Sequence, residues 1–402
     1  MKNIFKSILL VLLVVFAINI KAQHEKKEKA EGYKFTVVKE NKCTPAKNQN
    51  RAGTCWSYST LGFIEAEMLR LGKPETDLSE MFVVHKTYAD KAKKYVRMHG
   101  TINFGGGGAV NDAIDVIRNY GIVPEEAYKG LNYGEDNHVH GELDDLTKSY
   151  VDAVIKNSNQ HLSTAWFNGF EGILNAYLGV IPEKFNYNSK EYTPKTFAKE
   201  VVGINPDDYI YLTSFTHHSF YKPFIFEVQD NWSWNSYLNL PIDELQQVIE
   251  SAINNGYTIG WAADVSEKGF SYKNGVAIVP VDDFKEIAGM ERDKWDKMSK
   301  KDKEALIYNF DKPGKEKVIS QEIRQKEFDN YLTTDDHGML ITGIAKDQNG
   351  SKYYKVKNSW GTDNNDYNGF FFASESFVRF KTINIVVHKN AIPKEILTKL
   401  GL

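Results

Sequence analysis

The chain has 402 residues, of which 42% are hydrophobic and 13% aromatic, a composition typical of globular proteins and unlike that of disordered or fibrous ones. This length can bury a large core, and it suits two or three domains or one domain with a large insertion. The net charge is −3 and acids interleave the lysine clusters, which argues against nucleic acid as a partner.

The chain begins with the pattern of a secretory signal peptide. Two lysines precede an unbroken apolar run at 8–18, and Ala22 is a small residue after which cleavage could occur. At about 1.5 Å per residue this run is too short to cross a hydrocarbon core of about 30 Å. We therefore predict removal of residues 1–22 and export of residues 23–402 to the periplasm or the exterior, without a stable membrane anchor.

Helices are predicted mainly in the first half of the chain. Apolar residues spaced three and four apart predict a helix over 54–71 and another over 110–120. The region at about 131–255 is rich in tyrosine and asparagine and gives mixed signals, until a helical pattern returns at 245–253. A polar surface helix is predicted over 294–308.

Strands are predicted mainly in the second half. They lie at 257–263, 339–345, 353–357 and 370–372, and an Asn-Gly turn joins the second of them to the third. Because helices are predicted in the first half of the chain and antiparallel strands in the second half, the predicted fold class is α+β.

Cys55 lies at the start of the first predicted helix. Unpaired N–H groups and a partial positive charge at a helix start favour a thiolate, which is the nucleophilic form of cysteine. A buried structural thiol is the alternative, although the preceding Gly53 allows a turn that exposes the sulfur. Cys43 is the other cysteine, and it could be an inert core thiol or form a redox-sensitive bond with Cys55.

A nucleophilic cysteine needs a base, and His337 precedes an apolar strand from which its ring could reach a helix start. The predicted hairpin places Asn358 near this ring, where its amide oxygen could accept one ring N–H and orient the other nitrogen. Trp360 could shield that bond from water. Gln49 could supply a side-chain N–H to a developing oxyanion.

Other histidines raise the question of a metal. His217 and His218 are adjacent, and His138 and His140 are two residues apart, but neither pair has further ligands at a supporting spacing. We therefore predict no metal and no cofactor.

Together these motifs resemble the papain family of cysteine peptidases. Residues 44–49 with 53–57 are similar to its cysteine box, Asp336-His337 to its histidine box, and 358–361 to its asparagine box. Leu78-Ser79-Glu80 and the Gly107-Gly108 pair before a helix match further stretches. The resemblance implies a papain-like fold and the roles of nucleophile, base, orienting residue and oxyanion donor for Cys55, His337, Asn358 and Gln49. It also implies that Gly107 and Gly108 offer backbone to a peptide substrate.

Three departures resemble the bleomycin hydrolase and aminopeptidase C branch. Cys55 and His337 are about twice as far apart as the roughly 130–150 residues usual for papain, the excess falling near 131–255. Only 32 residues lie between Ala22 and Cys55, so we expect no separate inhibitory pro-region, and Ala52 stands where papain has a disulfide cysteine. The branch implies a helical insertion, assembly into a homo-hexamer and a C-terminal tail lying in the cleft. The tail at 394–402 could thread the cleft or be a frayed end.

The predicted activity is hydrolysis of peptide bonds through a thioester, by an aminopeptidase. An endopeptidase of the same fold and a non-catalytic papain-like binding protein are the alternatives, because a fold by itself does not establish activity.

Overall fold

The computed structural model describes residues 32–281 and 294–402; the predicted signal peptide at 1–22 lies outside them. The helices are α1 (Cys55–Arg70), α2 (Glu80–Arg97), α3 (Val110–Tyr120), α4 (Gly141–Ile155), α5 (Ala165–Leu178), α6 (Pro194–Phe197), α7 (Ile242–Asn254), α8 (Lys300–Ile307), α9 (Gln321–Asp329), α10 (Glu375–Lys381) and α11 (Lys394–Leu400). The strands are β1 (Thr36–Glu40), β2 (Phe185–Tyr187), β3 (Lys190–Tyr192), β4 (Tyr209–Thr213), β5 (Pro223–Ile225), β6 (Ser236–Asn239), β7 (Ile259–Ala263), β8 (Phe270–Ser271), β9 (Val276–Ala277), β10 (His337–Lys346), β11 (Lys352–Lys357), β12 (Phe370–Ser374) and β13 (Thr382–His388).

The large sheet is built around the long strand β10. Antiparallel partners flank it: β11 on one edge, and β7 followed by β1 on the other. The chain of pairings continues from β11 to β12 and from β7 to β13 and β4. A turn at 347–351, closed by a hydrogen bond of 3.0 Å from the Gly350 N–H to the Asp347 carbonyl, joins β10 to β11, and Leu340 lies opposite Lys357. The start of β10 and the end of β11 are therefore neighbours.

Helix α1 is the centre of the helical half. Nearly all of its side chains are buried, and it packs against α2, α3 and β10. Ser79 caps α2, its hydroxyl accepting a hydrogen bond of 3.1 Å from the Phe82 backbone N–H. The sequence analysis assigned no helix to α2, although its length and its buried residues make it a main wall of the core.

Two apolar cores lie on opposite faces of the sheet. Leu340 belongs to the core shared with α1, α2 and α3, whereas Met339 and Ile341 belong to the core shared with α7 and α11. Successive side chains of a strand point to opposite faces, so β10 separates the two cores. The predicted α+β class is confirmed, with helices and sheet meeting along α1 and β10.

The region predicted as an insertion contains both helices and strands. Its helices α4 and α5 pack against α2, and the short hairpin of β2 and β3 leads into α6. Strand β4 then pairs with β13, and β6 pairs with β4, which joins this part of the chain to the main sheet. Helix α7 follows and covers β10.

The predicted polar helix at 294–308 is interrupted. The Ser299 hydroxyl accepts a hydrogen bond of 3.2 Å from the Asp302 N–H and so begins α8 anew at Lys300. The spacing of apolar residues did not reveal the break, because this stretch is polar on every side. A capping serine therefore does not alter its hydrophobic periodicity.

The C-terminal tail neither threads the cleft nor is a frayed end, the two alternatives that the sequence left open. Residues 394–400 form α11, which buries Ile396 and Leu400 in the core on the face opposite α1. Lys399 pairs with Glu244 at 2.6 Å, which fixes α11 to the start of α7. Burial of the apolar side chains outweighs the flexibility that Gly401 gives the chain end.

Helix α1 supplies a test of this packing. Phe63 is fully buried, and its ring centroid lies 5.3 Å from that of Tyr209. We expect Phe63→Ala to lower the free energy of unfolding by about 3–5 kcal/mol, because the lost ring leaves a cavity. Urea denaturation followed by tryptophan fluorescence measures the change. Val318→Ala, at a side chain that is 90% exposed, is the control; equal midpoints for the two variants would contradict the assigned packing.

Candidate active site

Cys55 is the first residue of α1, and its sulfur lies beside the start of β10. The sulfur accepts hydrogen bonds from the backbone N–H groups of Gly338 and Trp56. Gly338 follows His337 directly. Cys55, the predicted nucleophile, begins α1, and His337, the predicted base, begins β10, and these two elements are in contact. A Cβ atom at Gly338 would lie 3.4 Å from the carbonyl oxygen of Cys55 and 2.6 Å from the hydroxyl of Ser59. Glycine is therefore needed for this approach.

His337 and Asn358 form the predicted hydrogen bond. The Nε2 atom of His337 lies 2.7 Å from Oδ1 of Asn358, and both side chains are buried. The same Oδ1 accepts a bond of 2.8 Å from the Ser359 backbone N–H, which fixes the orientation of the amide. Because Oδ1 is an acceptor, Nε2 carries the proton and Nδ1 is left to exchange a proton with another group.

Trp360 covers the imidazole as predicted. The ring centroids of Trp360 and His337 lie 4.7 Å apart, with 32° between the ring planes. The rings of Phe270 and Tyr272 also pack against Trp360, with their centroids 5.8 Å and 5.2 Å from the centroid of the Trp360 ring. This aromatic cluster keeps water from the bond between His337 and Asn358.

Gln49 is held against the segment that carries Asn358. Its Oε1 accepts a hydrogen bond of 2.6 Å from the Ser359 hydroxyl, and its backbone N–H donates to the Ser359 carbonyl at 2.8 Å. One hydrogen of its side-chain amide goes to the Ala52 carbonyl, at 2.8 Å. The second amide hydrogen stays available for a negatively charged oxygen beside Cys55.

The glycine loop before α3 lies against the start of α1. Gly108 faces the indole of Trp56, where a Cβ atom would lie 2.8 Å from ring carbons. The Trp56 Nε1 donates to the Gly106 carbonyl at 3.0 Å. The structure thus places Gly107 and Gly108 at the cleft beside Cys55, and their role in binding substrate stays a prediction.

Burial controls the protonation of the two reactive groups. Loss of solvent raises the pKa of Cys55 to about 12, with the nearby charges of Asp230 and Asp335 adding to the rise. Loss of solvent also lowers the pKa of His337 to about 4, against the bond to Asn358, which raises it. Burial therefore favours the neutral thiol over the thiolate expected from the helix start, and it favours a neutral imidazole that can accept the thiol proton.

Several residues of the site escaped the sequence analysis. Ser359 was noted only as part of a motif, yet its hydroxyl and carbonyl anchor Gln49. Lys47, two residues before Gln49, sits among the carboxylates of Glu65, Asp77 and Glu80. Their partners are distant in sequence, so no spacing pattern could have identified these contacts.

The structure adds an acid to one of the histidine pairs. Glu227 lies 3.2 Å from Nε2 of His217 and 2.8 Å from Nε2 of His218, a grouping with metal-ligating atom types. The Gln325 amide nitrogen lies 3.1 Å from Nδ1 of His217 and donates to it, which leaves the proton on Nε2 facing Glu227. Hydrogen bonds to the glutamate therefore account for this group without a metal ion.

The two cysteines are not joined. Both Cys43 and Cys55 carry free thiols, and burial raises the pKa of Cys43 above its ordinary value. A raised pKa keeps this thiol protonated and unreactive, in keeping with an inert role.

Over the described ranges, no helix is both long and apolar enough to cross a membrane.

Comparison with known proteins identifies the class to which this fold and site belong. The model of the Peptidase C1-like family matches residues 82–311 and 302–401, which include His337 and Asn358. The chain therefore belongs to the Peptidase C1-like family. The expected resemblance to papain-type peptidases and their aminopeptidase branch is confirmed.

Individual relatives are distant in sequence and similar in length. Aminopeptidase G of Lactobacillus delbrueckii subsp. lactis is 22% identical over 391 residues, covering 87% of this chain and 82% of that protein. Aminopeptidase C of Streptococcus thermophilus is 24% identical over 396 residues, covering 87% of this chain and 81% of that protein. The crystal structure of pepw from Lactobacillus rhamnosis HN001 matches with a TM-score of 0.68 at 19% identity, covering 99% of this chain and 94% of that one. This last match confirms the predicted fold.

The neutral pair predicts how Cys55 reacts with an alkylating agent. A thiol with a pKa of about 12 is almost wholly protonated at pH 7, so rapid alkylation requires His337 to accept the proton. We expect His337→Ala to slow the reaction of Cys55 with iodoacetamide at least about tenfold at pH 7. Mass spectrometry of the Cys43→Ser background measures the rate at Cys55 alone. Equal rates with and without the imidazole would show that His337 is not the base.

Proposed function

We propose that this protein is a secreted thiol aminopeptidase that removes residues from the N-terminus of peptides through a thioester at Cys55. The observation that carries the proposal is the arrangement of three groups. His337 binds Asn358 at 2.7 Å, and the residue after His337 donates its backbone N–H to the Cys55 sulfur. Relatives of similar length that are named aminopeptidases support the choice of reaction.

The mechanism follows from the protonation states. Nδ1 of His337 accepts the thiol proton as the Cys55 sulfur attacks the substrate carbonyl carbon. The second amide hydrogen of Gln49 and the backbone N–H of Cys55 stabilise the oxyanion that forms. His337 then gives its proton to the departing amine, and the carbonyl carbon remains bound to sulfur as a thioester.

The second half of the reaction reverses these roles. Water attacks the thioester while His337 accepts one of its protons, and the oxyanion occupies the same place beside Gln49. The acid product leaves and the proton returns to the Cys55 sulfur. Asn358 holds the imidazole in one tautomer throughout, because its oxygen accepts from Nε2 in both halves.

Blocking the substrate amine tests the activity. We expect hydrolysis of aminoacyl-coumarin amides, with N-acetylated twins cleaved at least about a hundredfold more slowly. Cys55→Ala should abolish the hydrolysis, because no nucleophile remains, while Cys43→Ser should retain it. Fluorescence of the released coumarin measures both.

Other outcomes identify the competing functions. Equal or faster cleavage of the acetylated substrates would identify an endopeptidase. A folded wild-type protein without hydrolysis and without thiol labelling would identify a non-catalytic binding protein. Assembly into a homo-hexamer, which the resemblance implies, stays a prediction.

Export is a separate part of the proposal and rests on the basic and apolar pattern before Ala22. We expect the full chain, expressed in a bacterium, to be recovered outside the cytoplasm with an N-terminus near Gln23. Leu12→Arg should keep it in the cytoplasm uncleaved, because a charge interrupts the apolar run, and Lys27→Arg is the matched control. Intact Met1 on exported wild-type protein would instead indicate a retained segment.

A further inference from the structure

The glycine loop at 105–108 leads into α3 and consists of four successive glycines. Within residues 32–281 and 294–402, none of the four takes part in a backbone–backbone hydrogen bond. Glycine has more backbone freedom than any other residue, so this loop does not hold one conformation by itself. Its conformation therefore depends on side chains from other elements.

Lys91, on α2, binds two of the loop carbonyls. Its ammonium donates to the Gly105 carbonyl at 3.0 Å and also to the Gly107 carbonyl. The carbonyl between them, that of Gly106, accepts from Nε1 of Trp56 at 3.0 Å. Three successive carbonyls are thus held by side chains of α2 and α1.

These bonds also set the direction of the N–H groups of the loop. The C=O and N–H of one trans peptide unit point in opposite directions. The bonds of Lys91 therefore turn the N–H groups of Gly106 and Gly108 away from the ammonium, and the bond of Trp56 turns that of Gly107 away from the indole. Among the described residues, no atom accepts a hydrogen bond from the four loop N–H groups, so they remain available to a ligand.

The loop is in contact with the segment that leads into α1. A Cβ atom at Gly53, two residues before the reactive cysteine, would lie 3.5 Å from the carbonyl carbon of Gly106. Asp230 lies over Gly107, where a Cβ atom would be 2.7 Å from its Cγ, and its carboxylate accepts from the Asn103 amide at 3.2 Å. A shift of the loop would therefore change the distance between its N–H groups and the reactive sulfur.

The Lys91 ammonium is buried without an ion pair. The residue is only 1% exposed, and in the part of the chain that the structure describes its hydrogen bonds go to the two loop carbonyls. Its Nζ atom lies 5.8 Å and 5.7 Å from the ring centroids of Tyr88 and Trp232. Burial lowers its pKa, and the charges of three acids oppose this effect: Asp112, Asp230 and Asp144. A buried charge is costly unless it is hydrogen-bonded, so the ammonium and the loop stabilise each other.

We propose that Lys91 is a positioning residue, whose ammonium holds the glycine loop so that the loop N–H groups bind the main chain of a peptide beside Cys55. This inference rests on the proposed hydrolysis at Cys55 and deepens it. Lys91 acts through the loop, because its bonds go to the loop carbonyls and not to the sulfur or the imidazole. Since N–H groups recognise carbonyl oxygens of the main chain, the ligand class is peptides irrespective of their side chains.

Lys91→Met tests this role because it keeps an apolar stem and removes the charge and the donors. We expect KM for aminoacyl-coumarin amides to rise about tenfold, equally for substrates with different side chains. We expect kcat, and the iodoacetamide rate of Cys55 in the Cys43→Ser background, to stay within about twofold of the wild type, because the reactive groups are unchanged. Lys93→Met, at a partly exposed lysine of the same helix, is the control and should leave KM unchanged.

Lys91→Gln is a milder change that is measured in parallel. Its amide is an uncharged donor that ends one atom short of the lysine nitrogen, so we expect KM to rise about threefold. Thermal denaturation verifies that each variant is folded, which keeps the test decisive if the methionine variant is not.

The outcomes separate this inference from the proposed function. An unchanged KM in a folded Lys91 variant, with or without equal losses of kcat and thiol labelling, would overturn the inference and leave the proposed function standing. Loss of folded protein in both variants would show that Lys91 supports the whole fold, and would overturn it too. A wild type that cleaves only N-acetylated substrates would overturn the aminopeptidase proposal, and the same KM comparison on those substrates would still decide the role of Lys91. A wild type without any hydrolysis would overturn both.

Discussion

The close approach of two chain segments at Gly338 is the constraint on which the site depends. The start of β10 passes the start of α1 so tightly that a Cβ atom at Gly338 would collide with Ser59. The Gly338 N–H donates a hydrogen bond to the Cys55 sulfur, and His337 is the residue directly before Gly338. The helical half and the sheet half each contribute one reactive group, so the site exists only while the two halves are packed together.

A second set of contacts holds the remaining groups in place. Ser359 connects Gln49 to the segment that carries Asn358, so the oxyanion donor and the orienting amide share one support. The buried ion pairs of Lys47 fix the segment before Gln49 to α1 and α2. Such buried pairs are costly to break one partner at a time, and they hold a loop that has no regular structure of its own.

The region at about 131–255, which the sequence analysis predicts to be an insertion, contributes to the site as well as to the sheet. Its strand β4 extends the sheet through β13, and its Asp230 lies over Gly107 beside the reactive sulfur. Burial in this setting keeps the thiol and the imidazole neutral at rest. The charges of Asp230 and Asp335 add to the rise in the pKa of Cys55, so they disfavour a resting thiolate.

The sequence by itself determined the local elements and the candidate reactive groups. Periodicity located α1, α3 and the β10–β11 hairpin, because those signals lie within one element, and the hairpin turn already implied that Asn358 approaches His337. Only the tertiary structure decided the rest. The contact of Ser359 with Gln49, the position of Asp230 over Gly107 and the packing of α11 depend on contacts between segments far apart in the chain. Such contacts are fixed by the burial of apolar surface over the whole molecule, which leaves no pattern in any single stretch of sequence.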